Sequence, residues 1–182
     1  MLILGSTSAR RKEIIEKLNI PFKVVSPNFN EDELDINLDP LVYVQTNALN
    51  KALSLKEVFP NDTILTADTI VVFEGEILNK PLDEADAYLM LKKLANNEHI
   101  VYTACTLIKD GKVEQFYDKA IVYFKHYSDV EILDYINTGE PMDKAGSYGI
   151  QGHGAKLIDK YEGSFYTIMG LPLDMVKEKL GL

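Results

Sequence analysis

A nearly unbroken β-branched run, TILTADTIVVF from Thr63 to Phe73, sets the terms for the rest of the chain. Its apolar residues do not alternate with polar ones, the pattern of a central strand covered on both faces rather than of a half-solvated edge. One residue breaks the run. Asp68 places a carboxylate in its middle, and a carboxylate buried without a partner is costly, so it is expected to be paired, metal-bound or functional.

The surrounding pattern is mixed α/β. Leu2 to Leu4 read as a short buried strand, Gly5 to Ser8 as a turn, and Ile14, Ile15 and Leu18 as the inner face of a helix. Phe22 to Val25 form a second strand, and Asp39 with Pro40 fit N-cap and N1 of a helix reaching about Val58. Glu74 to Glu76 turn the chain into Ile77 and Leu78; a helix follows from Asp83 with Ala85, Leu89, Leu91 and Leu94 on its apolar face. HIVYTACTLI and VEQFYDKAIVYF are joined by KDGK, a hairpin with Asp-Gly at its turn. Ser128 to Glu131 form a capping box for a helix stopped at Gly139. AGSYGIQGHGA is too glycine-rich for regular structure, KLIDKY and SFYTIMG read as two further strands, and PLDMVKEKL is a terminal helix closed by Gly181. Parallel β-α-β comes early and an antiparallel ribbon late.

The first helix opens against its own dipole. Arg10, Arg11 and Lys12 lie in its first turn, where unpaired N–H groups already carry partial positive charge. A phosphate held by those N–H groups, by the hydroxyls of Ser6, Thr7 and Ser8, and by an arginine fork would compensate them. An ordinary corner with Ser8 as N-cap and solvated basic side chains is the alternative. Any such anion must be held locally, because a net charge of −9 leaves no basic excess for binding nucleic acid.

At 182 residues the chain fits one domain with two lobes. Cys105 is its single cysteine, set in an apolar strand, so a disulfide framework and a multi-cysteine zinc site are both excluded and a reducing cytosol is the expected compartment. No basic segment precedes a long apolar one, and no run reaches the roughly 18 apolar residues of a membrane span. The chain is expected to be cytoplasmic.

Hydrolytic phosphate chemistry needs cations for the phosphates, carboxylates for a divalent metal, and a base to orient water. All three types are present. Glu31, Asp32, Glu33 and Asp35 form an acidic run that reads either as metal ligands or as a solvated loop. Lys51 on the middle helix and Lys80 beside Pro81 are either phosphate contacts or surface lysines. Gln151 among Gly149, Gly152 and Gly154 marks a backbone that approaches something closely, or a flexible loop. His99, His126 and His153 show neither metal-ligand spacing nor triad logic, and the P-loop and strand-borne G-x-G-x-x-G fingerprints are absent.

Taken together and in order, STSARR (Ser6 to Arg11), ADTIV (Ala67 to Val71), NKP (Asn79 to Pro81), DKAGSYGIQG (Asp143 to Gly152) and GLPL (Gly170 to Leu173) resemble the Maf family of nucleoside triphosphate pyrophosphatases. The resemblance runs from Leu2 to Leu173. Two positions depart from the family pattern: Ala9 stands where proline is usual, and Asn79 stands where glycine precedes Lys80. The resemblance implies a mixed twisted sheet flanked by helices, with two lobes around a central cleft. It also implies that Asp68 is the proton acceptor and that Ser6, Arg10, Arg11, Glu31, Lys51, Lys80 and Gln151 line the site.

The family divides by substrate, and Arg10, Thr69 and Gln151 match its dTTP and UTP branch rather than its 7-methyl-GTP branch. A glutamine side chain suits the O4/N3 edge of uracil or thymine. The expected reaction cleaves dTTP or UTP, or modified pyrimidine triphosphates, to the monophosphate and pyrophosphate. A divalent cation, Mg2+ or Mn2+, is expected at Glu31 and Asp68. The resemblance also implies a homodimer, which no apolar stripe in the chain establishes. The alternative is a nucleotide-sensing regulator of septum formation without relevant turnover.

Overall fold

The computed structural model describes residues 1–182, with every side chain except that of Asp32. Seven strands and six α-helices follow one another as β1 (Leu2–Gly5), α1 (Ala9–Glu16), β2 (Phe22–Val25), α2 (Pro40–Lys56), β3 (Thr63–Phe73), β4 (Glu76–Leu78), α3 (Glu84–Leu94), β5 (Glu98–Lys109), β6 (Lys112–Phe124), α4 (Asp129–Asn137), β7 (Ile158–Glu162), α5 (Phe165–Met169) and α6 (Leu173–Leu180). The strand order is β2-β1-β3-β5-β6-β7, with β4 paired to β3. β1 runs parallel to β2 and β3, whereas β3 with β4 and β6 with β7 are antiparallel, so the sheet is mixed as expected.

Residue contacts divide the chain into two compact units. The first comprises Met1–Thr69, Thr103–Asp118 and Gly170–Leu182; the second comprises Ile70–Tyr102 and Lys119–Met169. β3, β5 and β6 each contribute residues to both.

In the first unit the Asp39 side chain caps α2 by accepting from the Leu41 and Val42 amides, with Pro40 at N1. Ala52 and Leu55 of α2 pack with Ile3, Ile64 and Ile108, and burial of each such Leu or Ile side chain stabilises by about 1.5–3 kcal/mol. Gly5 permits that approach: a Cβ there would lie 2.4 Å from Leu55 Cδ1 and 2.7 Å from Thr66 Cγ2. The turn between β5 and β6 places Asp110 and Gly111 at φ 51° and 75°, the left-handed pair that a two-residue hairpin requires.

In the second unit Asp83 caps α3, and Ser128 and Glu131 complete the expected capping box of α4. His99, Phe124, Tyr127 and Tyr148 stack edge to face in the core of this unit.

Three expectations are corrected. SFYTIMG is not a strand: Ser164 caps α5 through its carbonyl and hydroxyl, which accept from the Thr167, Ile168 and Tyr166 amides. On α3 the buried residues are Ala87, Leu91 and Leu94, while Ala85 and Leu89 face solvent. The glycine-rich stretch contains two short 3-10 turns, Ala145–Ser147 and Gly152–Leu157. Among the described residues, no helix is long and apolar enough to cross a membrane.

Candidate active site

Asp68 is buried and bonded on both carboxylate oxygens. Lys51 Nζ donates to Oδ1 at 2.9 Å and Asn47 Nδ2 donates to Oδ2 at 3.1 Å. The two donors are one helical step of four residues apart on the buried face of α2 and therefore reach the strand side by side. Thr66, two residues before Asp68 and on the same face of β3, ties the helix down by donating to the Ala48 carbonyl at 2.6 Å. Lys51 also reaches Glu31 Oε1 at 2.5 Å. The two carboxylates expected to share a metal thus share an ammonium.

Glu31 and Asp68 are the residues that could hold a hard divalent cation. Glu31 and Asp68 offer carboxylate oxygens on either side of Lys51, and Glu31 keeps 40% of its side chain exposed. Among the described residues no group of three or more His, Cys, Asp or Glu side chains is arranged to hold a metal, so an all-protein cage is not formed. One or two carboxylates completed by substrate phosphates is the arrangement Mg2+ commonly accepts. Of the remaining acidic run, Glu33 is exposed, Asp35 accepts from the Asn37 backbone and side-chain amides, and the Asp32 side chain lies outside the described residues.

The opposite face of β3 carries a second network. Thr69 Oγ1 lies 2.8 Å from Thr103 Oγ1 and accepts from Arg11 Nη2 at 3.1 Å. Arg11 Nε donates to the Gly170 carbonyl at 2.8 Å, and Nη1 lies 3.5 Å from Ser6 Oγ. Burial pulls the Arg11 guanidinium below its ordinary pKa, and the Asp68 carboxylate opposes that shift. The alternative of solvated basic residues therefore fails at Arg11, although it describes Lys12, which makes an exposed pair with Glu16. Ser8 is the N-cap, accepting from the Arg11 amide. Arg10 is half-buried on the same turn.

Lys80 and Gln151 belong to the second unit. Lys80 is exposed after β4, and the preceding Asn79 keeps a negative φ and accepts from the Gly146 amide at 3.2 Å, so the turn has no need of the glycine usual there. Gln151 is half-buried at the start of the second 3-10 turn. Sequence reasoning missed Asn47, Thr103 and the Gly170 carbonyl. Asn47 alone left a signal, its spacing of four from Lys51.

The Maf-like protein family matches residues 1–181. The chain belongs to that family. Among similar proteins, one named dTTP/UTP pyrophosphatase from Acholeplasma laidlawii is 52% identical over 180 residues, covering 99% of this chain and 95% of its own. Another of the same name, from Dictyoglomus turgidum, is 45% identical over 94% of this chain and 90% of its own. Two solved structures share the fold at low identity. A nucleoside-triphosphatase, described as a dITP/XTP pyrophosphatase, from Mycobacterium abscessus superposes with a TM-score of 0.52 at 12% identity, covering 99% of this chain and 92% of that one. The Ham1 protein of Staphylococcus aureus does so at 0.50 and 16%, covering 86% and 79%.

Proposed function

We propose that this Maf protein hydrolyses dTTP and UTP to the monophosphate and pyrophosphate. The observation that carries the reading is the Asp68 carboxylate, buried yet held on both oxygens by Lys51 and Asn47, beside a second carboxylate on the same ammonium. The name shared by the relatives from A. laidlawii and D. turgidum supports the substrate class, and binding without turnover has no comparable support.

In this reading Asp68 accepts the proton of the attacking water, whose oxygen forms the new bond to the α phosphorus as the bond to the bridging oxygen of the β phosphate breaks. Lys51, Arg10 and Arg11 offset the negative charge of the triphosphate and of departing pyrophosphate, with Lys80 adding a further cation. Arg11 acts with its fork already aimed by Thr69, Gly170 and Ser6. Gln151 reads the pyrimidine edge. A divalent cation, Mg2+ or Mn2+, would be held by Glu31 and Asp68 and would polarise a phosphoryl oxygen as a Lewis acid when bound. The compartment in this reading is the cytoplasm.

The test is pyrophosphate release from UTP, dTTP, CTP, GTP and 7-methyl-GTP, with and without Mg2+ or Mn2+. Metal-dependent turnover led by dTTP and UTP is the expected result. Turnover led by another base would remove the pyrimidine assignment, and nucleotide binding without release of pyrophosphate would remove the hydrolase.

A further inference from the structure

The segment that carries Gln151 is wrapped around one carboxylate. Glu140 Oε2 accepts from the His153 amide at 2.9 Å, and Oε1 accepts from the Gly154 amide at 3.1 Å and from the Tyr135 hydroxyl at 3.1 Å. The Tyr135 oxygen in turn accepts from the Gly149 amide at 3.3 Å. Backbone amides on both sides of Gln151 are therefore tied to a single carboxylate and phenol pair.

The fit leaves no slack. A Cβ at Gly154 would stand 2.3 Å from the Gly149 carbonyl and 2.6 Å from the Tyr135 hydroxyl, and one at Gly152, where φ is +65°, would meet Glu140 Oε2 at 2.9 Å. Glu140 is fixed in its turn, since Lys144 Nζ donates to its carbonyl at 2.7 Å and to Asp143 at 2.7 Å. Upstream, Tyr148 is anchored by a 2.6 Å contact between its hydroxyl and His99 Nε2.

We infer that Glu140 is a positioning residue for base selection: it sets the backbone from which Gln151 reads the pyrimidine. The inference rests on the proposed function for its substrate class. Its physical basis is that hydrogen bonds to an ionised acceptor are about twice as strong as neutral ones, and that a recognition side chain must be held to within about 0.5 Å to discriminate. Glutamine at this position has the same shape but offers one acceptor oxygen in place of two, and turns an N–H toward a backbone N–H.

The experiment compares wild type with Glu140→Gln, Glu140→Asp and Tyr135→Phe by amide hydrogen exchange and by kcat and KM on UTP, dTTP and CTP. In Glu140→Gln the His153 and Gly154 amides are expected to exchange at least about tenfold faster, as charge-assisted bonds are lost. The preference for UTP over CTP in kcat/KM is expected to fall about tenfold, through KM, with kcat held within about threefold. Glu140→Asp retains the charge and recovers part of the preference, and Tyr135→Phe, which keeps the packing, shows a smaller loss. Faster exchange with an unchanged UTP to CTP ratio would overturn the inference, as would unchanged exchange. Should Glu140→Gln fail to fold, Tyr135→Phe decides the same comparison. A wild type that turns over neither UTP nor dTTP would overturn the proposed function instead, while the exchange rates still decide whether Glu140 anchors the loop.

Discussion

Lys51 bonds Asp68 at 2.9 Å with only 8% and 10% of their side chains exposed. The pair is desolvated, so its two halves are unequal under mutation. Lys51→Met strands the Asp68 carboxylate with Asn47 alone and is expected to cost about 3–5 kcal/mol in urea unfolding. Asp68→Asn leaves Lys51 with Glu31, so its stability loss is smaller, while kcat falls about 10²–10⁴-fold. Equal stability losses would show that Glu31 does not hold the ammonium.

The Arg11 guanidinium meets acceptors at Gly170, Thr69 and Ser6, a fork that a lysine does not reproduce. Arg11→Lys is expected to lower stability by about 1–3 kcal/mol, and Thr69→Val by about 1 kcal/mol. Because both variants break the bond between the two side chains, the double variant should cost less than the sum. Denaturant midpoints of the four proteins check this.

Burial alone pushes the His99 imidazole from 6.5 down to about 3. The unfolded chain takes up a proton below pH 6.5 that the folded chain refuses until about pH 3, so the contribution of His99 is intact above pH 6.5 and drains away as pH falls between these values. The slope is up to about 1.4 kcal/mol per pH unit. His99→Phe is expected to flatten the stability profile over this window relative to wild type, measured by urea unfolding at a series of pH values.

The Cys105 thiol is fully buried, and that burial pushes its pKa up to about 12. It should resist aromatic disulfide reagents in the native protein and react at once in urea, with the absorbance of the released thiolate as readout.

Much of the fold was legible because local chemistry and tertiary demand agree. The β-branched run of β3, the Asp110-Gly111 turn, and the caps at Asp39 and Ser128 each specify their element within a few residues. SFYTIMG misled because Phe, Tyr, Thr and Ile favour strands and five helical residues are too few to show a period. Leu89 misled because an apolar residue on a helix need not face the core. In the candidate site, Asp68 announced itself by interrupting an apolar run. Arg11 did not reveal its partner, since the Gly170 carbonyl stands 159 residues away and a backbone acceptor leaves no trace in side-chain identity.

The division of the chain bears on how it is made. The first unit is assembled from three separated stretches, and α6, which belongs to the third, is synthesised after the other two. Lys109 donates to the Leu180 carbonyl and Lys179 pairs with Glu114, so the hairpin gains these contacts only once α6 has formed. Arg11 likewise waits for Gly170. During translation Arg11 and the β5–β6 hairpin therefore remain without these contacts until Gly170 and α6 have emerged. The second unit, made of two nearer stretches, can be complete sooner. Asp68 is made well before Gly170, so the Arg11 fork on the opposite face of β3 is completed only after the strand itself has emerged.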